Sequence, residues 1–361
     1  MHSDSHDYSH APGPDPGDAD EAAEPTEDAE VLVVDGAAGA GERLDRFLAR
    51  TFPQYSRTRL QRWIAIGAVR CDQRPAAASM RLSGLERIEL EPQPLEAEQA
   101  FVAEPVPLAV VYQDADLMVI DKQAGLVVHP AAGNWGGTLL NGLLYHDPRQ
   151  AELPRAGIVH RLDKDTSGLM VVARGESARM SLAGQLADRS MSRRYLALAK
   201  GRCPEAGSID APIGRDPSNR LRMAVVDAAR GRVARTDFRR VAIGAIAGRE
   251  VSLVECALRT GRTHQVRVHL RSIGHALLGD ALYNGPTGAP WPARQMLHAW
   301  RLSFVHPTQA RACTFRSEPP DDFLACLHEA GLAEALVALR RADEARAGSG
   351  SRDWSDRSHE R

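Results

Sequence analysis

The chain has 361 residues, 43% of them hydrophobic, and a formal net charge of −2, which gives room for more than one domain and a sizeable core. No apolar run approaches the length needed to cross a bilayer, and the polar start does not read as a signal peptide, so a membrane protein is excluded and a cytoplasmic location is expected. Cys71, Cys203, Cys256, Cys313 and Cys326 are odd in number, scattered and never spaced as Cys-x-x-Cys, which argues against a disulfide framework or structural zinc and suits a reducing compartment.

The net charge conceals an asymmetry. Residues 1–30 hold ten Asp and Glu and no Lys or Arg, so the remainder carries about +8, a balance compatible with a polyanionic partner. That acidic stretch, rich in Pro, Gly and Ala, has little to bury and is expected to be a disordered tail. Val31 to Val34 is a short strand candidate. Leu44, Phe47 and Leu48 then fall at helical spacing, and Ser56 is placed to cap a second helix carrying Leu60, Trp63 and Ile64, which Gly67 ends. Arg57, Arg59 and Arg62 lie in that second helix, and a small strand begins at Val69. Two short helices, the second arginine-rich, resemble an S4 RNA-binding domain, and the resemblance implies that these three arginines contact RNA phosphates without reading sequence. A solvated charged face is the plain alternative. The hairpin after Val69 departs from the S4 pattern, with Cys71-Asp-Gln where Val-Asn-Gly is usual and Gly84-Leu-Glu where Gly-Asp-x is common. We assign 31–92 to this domain, 93–107 to an acidic, proline-containing linker, and 108–332 to a second, larger domain. Residues 333–361 are expected to be a C-terminal helix and a disordered tail.

In the larger domain, Leu117 to Pro130 suggests a strand, a turn at Gln123-Ala-Gly125 and a second strand. Thr138 to Tyr145 reads as a buried helix with Leu139, Leu143 and Leu144 on one face. The stretch from Gly157 to Arg174 has two short, branched apolar runs, Ile158-Val159 and Leu169 to Ala173, which read as buried strands around a dense polar loop. Such a loop can hold a reactive side chain rigidly, although Asp, Thr, Ser and Gly also form turns for local reasons alone. His160-Arg-Leu-Asp-Lys-Asp-Thr-Ser-Gly168 resembles the signature loop of the RluA/RluD family of RNA pseudouridine synthases. Leu117 to Pro130 is similar to another segment of that family, with Gln123 where proline is usual.

Further on, Glu176 to Ala187 is predicted as a helix, and Ser192 to Lys200 as a strand with Tyr195, Ala197 and Ala199 on one face. Ala211 to Val225 reads as a basic loop running into a strand, and Thr236 to Ala242 and Val251 to Leu258 as antiparallel strands. In Thr260 to Gly274 we expect Thr263 to cap a helix over His264 to Ile273, with Val266, Leu270 and Ile273 apolar and His264, Arg267 and Arg271 on a polar face. His264 and His269 would point about 140° apart on such a helix, which disfavours a metal site. Gln295 to Pro307 and Arg311 to Arg316 are further strands, a helix follows from Asp321, and the chain past Ala345 reads as tail.

The resemblance implies a fold and a chemistry. The fold is α+β, a mixed, mostly antiparallel sheet preceded by the small S4-like domain. The chemistry is isomerisation of uridine to pseudouridine on a flipped-out nucleotide, without metal or organic cofactor. Asp163 is implied as the catalytic carboxylate, Arg267 as the cation that keeps it ionised, and Tyr195 as the residue that stacks on the base. Arg161 is implied to occupy the space the base leaves, Leu297 to wall the carboxylate, and His160 and Thr166 to hold the loop. The run Ile213 to Arg220 with Met223-Ala-Val225 is most similar to the RluD branch, which implies a stem-loop of large-subunit ribosomal RNA, or an assembly intermediate containing it, as partner of a monomeric enzyme. Two other readings stand at this point. Asp163 and Asp165 could be a glycosidase carboxylate pair, although no aromatic sugar platform accompanies them. A non-catalytic RNA-binding or ribosome-assembly factor could also keep this fold.

Overall fold

The structure is a computed structural model, and it describes residues 31–93, 101–131, 134–284 and 291–349. The expected tails at 1–30 and 350–361 lie outside the described residues. The chain divides after Leu95 into two compact units.

The first unit contains β1 (Leu32–Asp35), α1 (Leu44–Thr51), α2 (Arg57–Ala65), β2 (Val69–Cys71), β3 (Arg74–Pro75) and β4 (Arg87–Leu90). Its strands form an antiparallel sheet in the order β1-β4-β2-β3. The apolar stripes of both helices, led by Leu44, Phe47, Leu60 and Trp63, bury against Val69, Ile88 and Leu90. Ser56 caps α2 by accepting the Arg59 N–H at 3.3 Å. The turn joining β2 to β3 places Asp72 (φ 49°) and Gln73 (φ 64°) in the left-handed region, as a tight hairpin of the favoured twist demands. The Asp72 carboxylate accepts the Arg87 N–H at 2.9 Å and ties the turn to β4.

The second unit contains β5 (Val110–Gln113), β6 (Leu117–Lys122), α3 (Leu139–His146), β7 (Ser167–Ala173), α4 (Glu176–Ala187), β8 (Ser192–Lys200) and β9 (Ala206–Asp210). It continues with β10 (Ile213–Asp216), β11 (Asn219–Val225), β12 (Arg235–Ile246), β13 (Arg249–Leu258), α5 (Gln265–Ser272), α6 (Ala281–Asn284), β14 (Leu297–Val305), β15 (Ala312–Arg316), α7 (Asp321–Glu329) and α8 (Ala333–Ser349). One sheet runs β5-β6-β7-β14-β8-β13-β12-β9, with β15 also on β14. Its pairings are antiparallel except β7 with β14, so the architecture is the expected α+β.

Strand alternation sorts side chains into two layers. Met118, Ile120, Tyr195, Ala197, Val254 and Leu297 pack with α3 and α5 on one side. On the other side, Leu196, Leu198, Leu253 and Trp300 meet α7 and α8, while Leu117, Val119, Leu169 and Val171 meet α4. The parallel contact of β7 with β14 depends on Gly168, at φ 109°, where a Cβ would stand 2.3 Å from the Ala299 carbonyl oxygen. Beside it His298 is fully buried. Its Nε2–H donates to the Ser317 carbonyl at 3.1 Å, which leaves Nδ1 to accept the Ser167 hydroxyl at 3.0 Å.

Several sequence expectations need correction. Val127 and Val128 form no strand, because their carbonyls accept the first N–H groups of α3, from Leu139 at 2.8 Å and Leu140 at 3.2 Å. The lead-in at Ile158 is a single bridge to Val172 rather than a strand. Residues 213–225 are a hairpin, β10 against β11, not a loop entering a strand. Thr263 does not cap α5. His264 occupies that position at φ 55°, and Gln265 folds back to accept the Arg262 N–H at 2.9 Å and the Thr260 hydroxyl at 2.7 Å. The last helix runs to Ser349, past the expected start of the tail. Within the stretch read as linker, Val102 accepts from the Asn141 amide, and Val106 packs on the core of the second unit.

Two stability predictions follow from this geometry. Gln73→Gly should raise the unfolding free energy of the first unit by about 0.5–1 kcal/mol, read by urea denaturation, because glycine enters the left-handed region without strain. Burial pushes the His298 pKa down to about 4, against about 6.5 for an unfolded histidine. Between those values the unfolded chain holds the extra proton, so stability should fall as pH drops from 6.5 toward 4, by up to about 1.4 kcal/mol per pH unit from this imidazole. Urea midpoints at pH 6.5 and pH 4.5 should differ less for His298→Gln than for the parent.

Candidate active site

The loop between the Ile158 bridge and β7 carries Asp163 into a cleft of about 770 Å³ in the second unit. A turn bond from the Thr166 N–H to the Asp163 carbonyl, 3.1 Å, sets its local shape. Beneath it lies Lys122, from the end of β6, almost fully buried. Its Nζ donates to the carbonyls of Gln123, Leu126 and Lys164, each at 2.9 Å. Burial pushes the Lys122 pKa down to about 7, against the pull of Asp163 and Asp165, and three acceptors use all three protons of the ammonium form. From the other side Arg294 donates to the Asp165 carbonyl at 2.9 Å, and Gln295 reaches the Thr166 hydroxyl at 3.4 Å. The loop is therefore held mainly through its backbone, leaving the Asp163 carboxylate, about one-fifth exposed, to the cleft.

Arg267, one turn into α5, meets that carboxylate, with Nη1 donating to Asp163 Oδ2 at 2.9 Å. The rest of its guanidinium is engaged by Asp280 as a two-pronged pair, Nε to Oδ2 at 2.7 Å and Nη2 to Oδ1 at 2.9 Å. Its charge also lies 4.9 Å from the centre of the Tyr283 ring. Burial disfavours the cation, but the two carboxylates win and raise the Arg267 pKa above its usual value. Tyr283 is itself fixed. Its oxygen accepts the Met223 N–H at 2.8 Å, which leaves its hydroxyl proton for His264 Nδ1, also at 2.8 Å. The His264 ring, kept neutral chiefly by burial, then turns Nε2 toward Asp163 Oδ1, 4.0 Å away.

Tyr195 and Leu297, both buried, line the same cleft from adjacent strands. Burial, reinforced by Asp163, pushes the Tyr195 pKa up to about 12, so its hydroxyl stays protonated at neutral pH. Arg161 stands exposed at the cleft wall. His160 Nε2 accepts the Val171 N–H at 3.1 Å and so fastens the loop to β7. Among the residues lining the cleft, six arginines face one carboxylate, Asp163. The structure thus brings Asp163, Arg267, Tyr195, Leu297, His160, Thr166 and Arg161 together. Asp165 lines a separate hollow on the Arg267 side of the loop.

The arginines of α2 are placed differently from one another. Arg57 is paired with the buried Asp45 at 2.7 Å. Arg59 lies over the rings of Tyr55 and Trp63 and donates to the Gln93 carbonyl at 3.0 Å, whereas Arg62 is exposed.

Sequence reasoning missed Lys122, Asp280, Tyr283 and Arg294. Lys122 left a signal, a lone lysine closing an apolar strand. Asp280 and Tyr283 left none, since each gains meaning only from what the fold sets beside it.

An S4-type unit followed by this sheet, with an acidic loop residue clamped by arginine in a basic cleft, defines an RNA-modifying enzyme of the pseudouridine synthase class. Residues 116–272 match the family described as RNA pseudouridylate synthase, and residues 42–88 match the S4 domain. The chain is 45% identical to "Ribosomal large subunit pseudouridine synthase D" of Neisseria meningitidis serogroup A, over 88% of this chain and 87% of that one. It is 47% identical to the protein of the same name from Nitrosomonas europaea, over 82% and 86%. With that from Xanthomonas campestris pv. campestris it shares 40% identity over 91% and 98%. The chain belongs to the RNA pseudouridine synthase family and is an isomerase.

Asp280 sets the angle of Arg267 without reaching the cleft. Asp280→Asn should therefore lower the single-turnover rate of uridine isomerisation by about tenfold to a hundredfold, since small displacements of a reacting group carry costs of that order. RNA affinity should change by less than about threefold; an equal loss in both would place Asp280 in binding instead.

Proposed function

We propose that the chain isomerises uridines of large-subunit ribosomal RNA to pseudouridine, with Asp163 as the group that opens the glycosidic bond. The observation that carries this reading is the 2.9 Å contact of Arg267 with Asp163, the one carboxylate in a cleft whose lining includes six arginines. The reaction detaches the base from the ribose at nitrogen, turns it, and rejoins it through carbon. An ionised carboxylate, positioned and shielded, starts that sequence, and a guanidinium in contact keeps it ionised.

In this reading the uridine leaves its stack to enter the cleft, at a cost of a few kcal/mol. Arg161 fills the space it vacates, as a flat cation that stacks and bonds phosphate. Tyr195 lies against the base, and its raised pKa keeps the hydroxyl a proton donor. Leu297 walls the carboxylate, while His160 and Thr166 hold the loop. The S4-type unit, spanning 31–92, adds phosphate contacts that position the RNA without reading its sequence. Of the arginines in α2, Arg57 and Arg62 have exposed side chains, so these are the first to test there. The names of the relatives support the large subunit as the source of the substrate. A stem-loop, presented by free RNA or by an assembly intermediate, suits a cleft that recognises shape and an unstacked base. The protein is proposed to act in the cytoplasm as a monomer.

Asp163→Asn should lower modification more than a hundredfold while leaving RNA affinity within about threefold. Pseudouridine mapping of ribosomal RNA from a deletion strain, rescued with parent or Asp163→Asn protein, tests this directly and names the target uridines. Restoration of every missing pseudouridine by the variant would replace the enzyme reading with that of an assembly factor.

A further inference from the structure

Three arginines of the described residues are buried, Arg193, Arg194 and Arg267. Arg194 is matched by Glu255 at 3.0 Å, and Arg267 by Asp163 and Asp280. Arg193 is only 8% exposed, yet it has neither a carboxylate nor a hydrogen-bond partner among the described residues, and its Nε is fully enclosed. An uncompensated buried cation is strongly destabilising, so its retention calls for a partner that arrives from outside.

The surroundings describe that partner. Arg193 precedes Tyr195 by two residues on β8, which puts both side chains on one face of the strand, and both line the cleft. Its guanidinium lies against the bare Cα of Gly261, where a Cβ would stand 2.6 Å from Nη1. Arg262 is next to it, and burial together with Arg232 and Arg189 presses the Arg262 pKa down. His160, also beside Arg193, adds a second orphan. Its Nε2 already accepts the Val171 N–H, so the ring proton sits on Nδ1, which is buried without a partner. Donors without a partner among the described residues, in the wall of a cleft that takes RNA, call for an anion.

We propose that Arg193, with the Nδ1–H of His160 beside it, seats a backbone phosphate of the substrate, the phosphodiester adjoining the extruded uridine. This deepens the uridine reading of the cleft and rests on it. The flat fork of a guanidinium matches two oxygens of a phosphodiester. Its place on the strand that carries Tyr195 would fix the ribose against Asp163 from the phosphate side. The uridine is then held at two points, by its base and by its own linkage.

The test uses a ribosomal RNA fragment around a uridine that the parent protein modifies, with a single neutral methylphosphonate placed on the 5′ or the 3′ side of that uridine. For the parent, one of the two linkages should lower kcat/KM by about tenfold to a hundredfold. Arg193→Met should show a loss of that size on normal RNA and no further loss from the methylphosphonate, and the slope of log affinity against log salt should fall by about one. The variant alone should melt no lower than the parent, because it removes an unmatched charge. Equal methylphosphonate sensitivity in parent and variant would overturn the proposal, as would a parent indifferent to both linkages. A variant that melts far below the parent would give Arg193 a structural partner and overturn it too. A parent that modifies no RNA at all would instead remove the uridine reading beneath it.

Discussion

One guanidinium shared between two carboxylates organises the catalytic unit. Arg267 gives two of its donors to Asp280 and one to Asp163, and the two acids are unequal in situation. Asp280 is almost wholly buried, whereas Asp163 reaches the cleft. A buried ion pair is costly unless every partner is satisfied. Asp280 makes the Arg267 charge tolerable inside the protein, and that charge in turn meets the Asp163 carboxylate at the edge of the cleft. The geometry is set before substrate arrives, which is how preorganised charge contributes most.

The sheet supplies the rigidity this arrangement needs. Asp163 stands just before β7, Tyr195 on β8 and Leu297 on β14, and these three strands are neighbours at the centre of the sheet. The one parallel pairing, β7 with β14, lies directly below the acidic loop, where Gly168 lets the two backbones approach and His298 bonds one serine from each side. Lys122 then fixes the loop by backbone carbonyls alone. Such a clamp constrains the main chain and leaves the acidic side chains uncommitted.

Charge is distributed to match a polyanion. The first thirty positions hold ten acidic residues and no Lys or Arg, while the cleft sets one carboxylate among arginines. Several of those arginines already have intramolecular tasks. Arg259, for example, is paired with Asp237 at 2.8 Å, and in the first unit Arg57 neutralises Asp45. Counting basic residues therefore overstates the surface available to RNA; what matters is which cations lack an acid of their own.

The sequence by itself determined the elements whose signal is local. Periodicity placed α1, α2, α3 and α4 and the strands β8, β13 and β14, because 3.6-residue and two-residue patterns report burial directly. The loop from His160 to Gly168 identified the family, since nine residues of unusual type in one order leave little to chance. The hairpin at Cys71-Asp72-Gln73 forms a tight turn without glycine, because two left-handed positions can be forced on Asp and Gln at modest cost. Where the readings failed, a non-local partner had intervened. Val127 and Val128 look like a strand, but their carbonyls are consumed by the start of α3. Thr263 looks like a cap, but Gln265 folds back and leaves His264 in the left-handed region. Only the tertiary structure could choose Asp280 as the second acid on Arg267, thirteen residues along the chain, or leave Arg193 without one among the described residues beside a matched Arg194. Adjacent residues on a strand face opposite layers, and which layer holds a carboxylate is decided by strands far away in sequence.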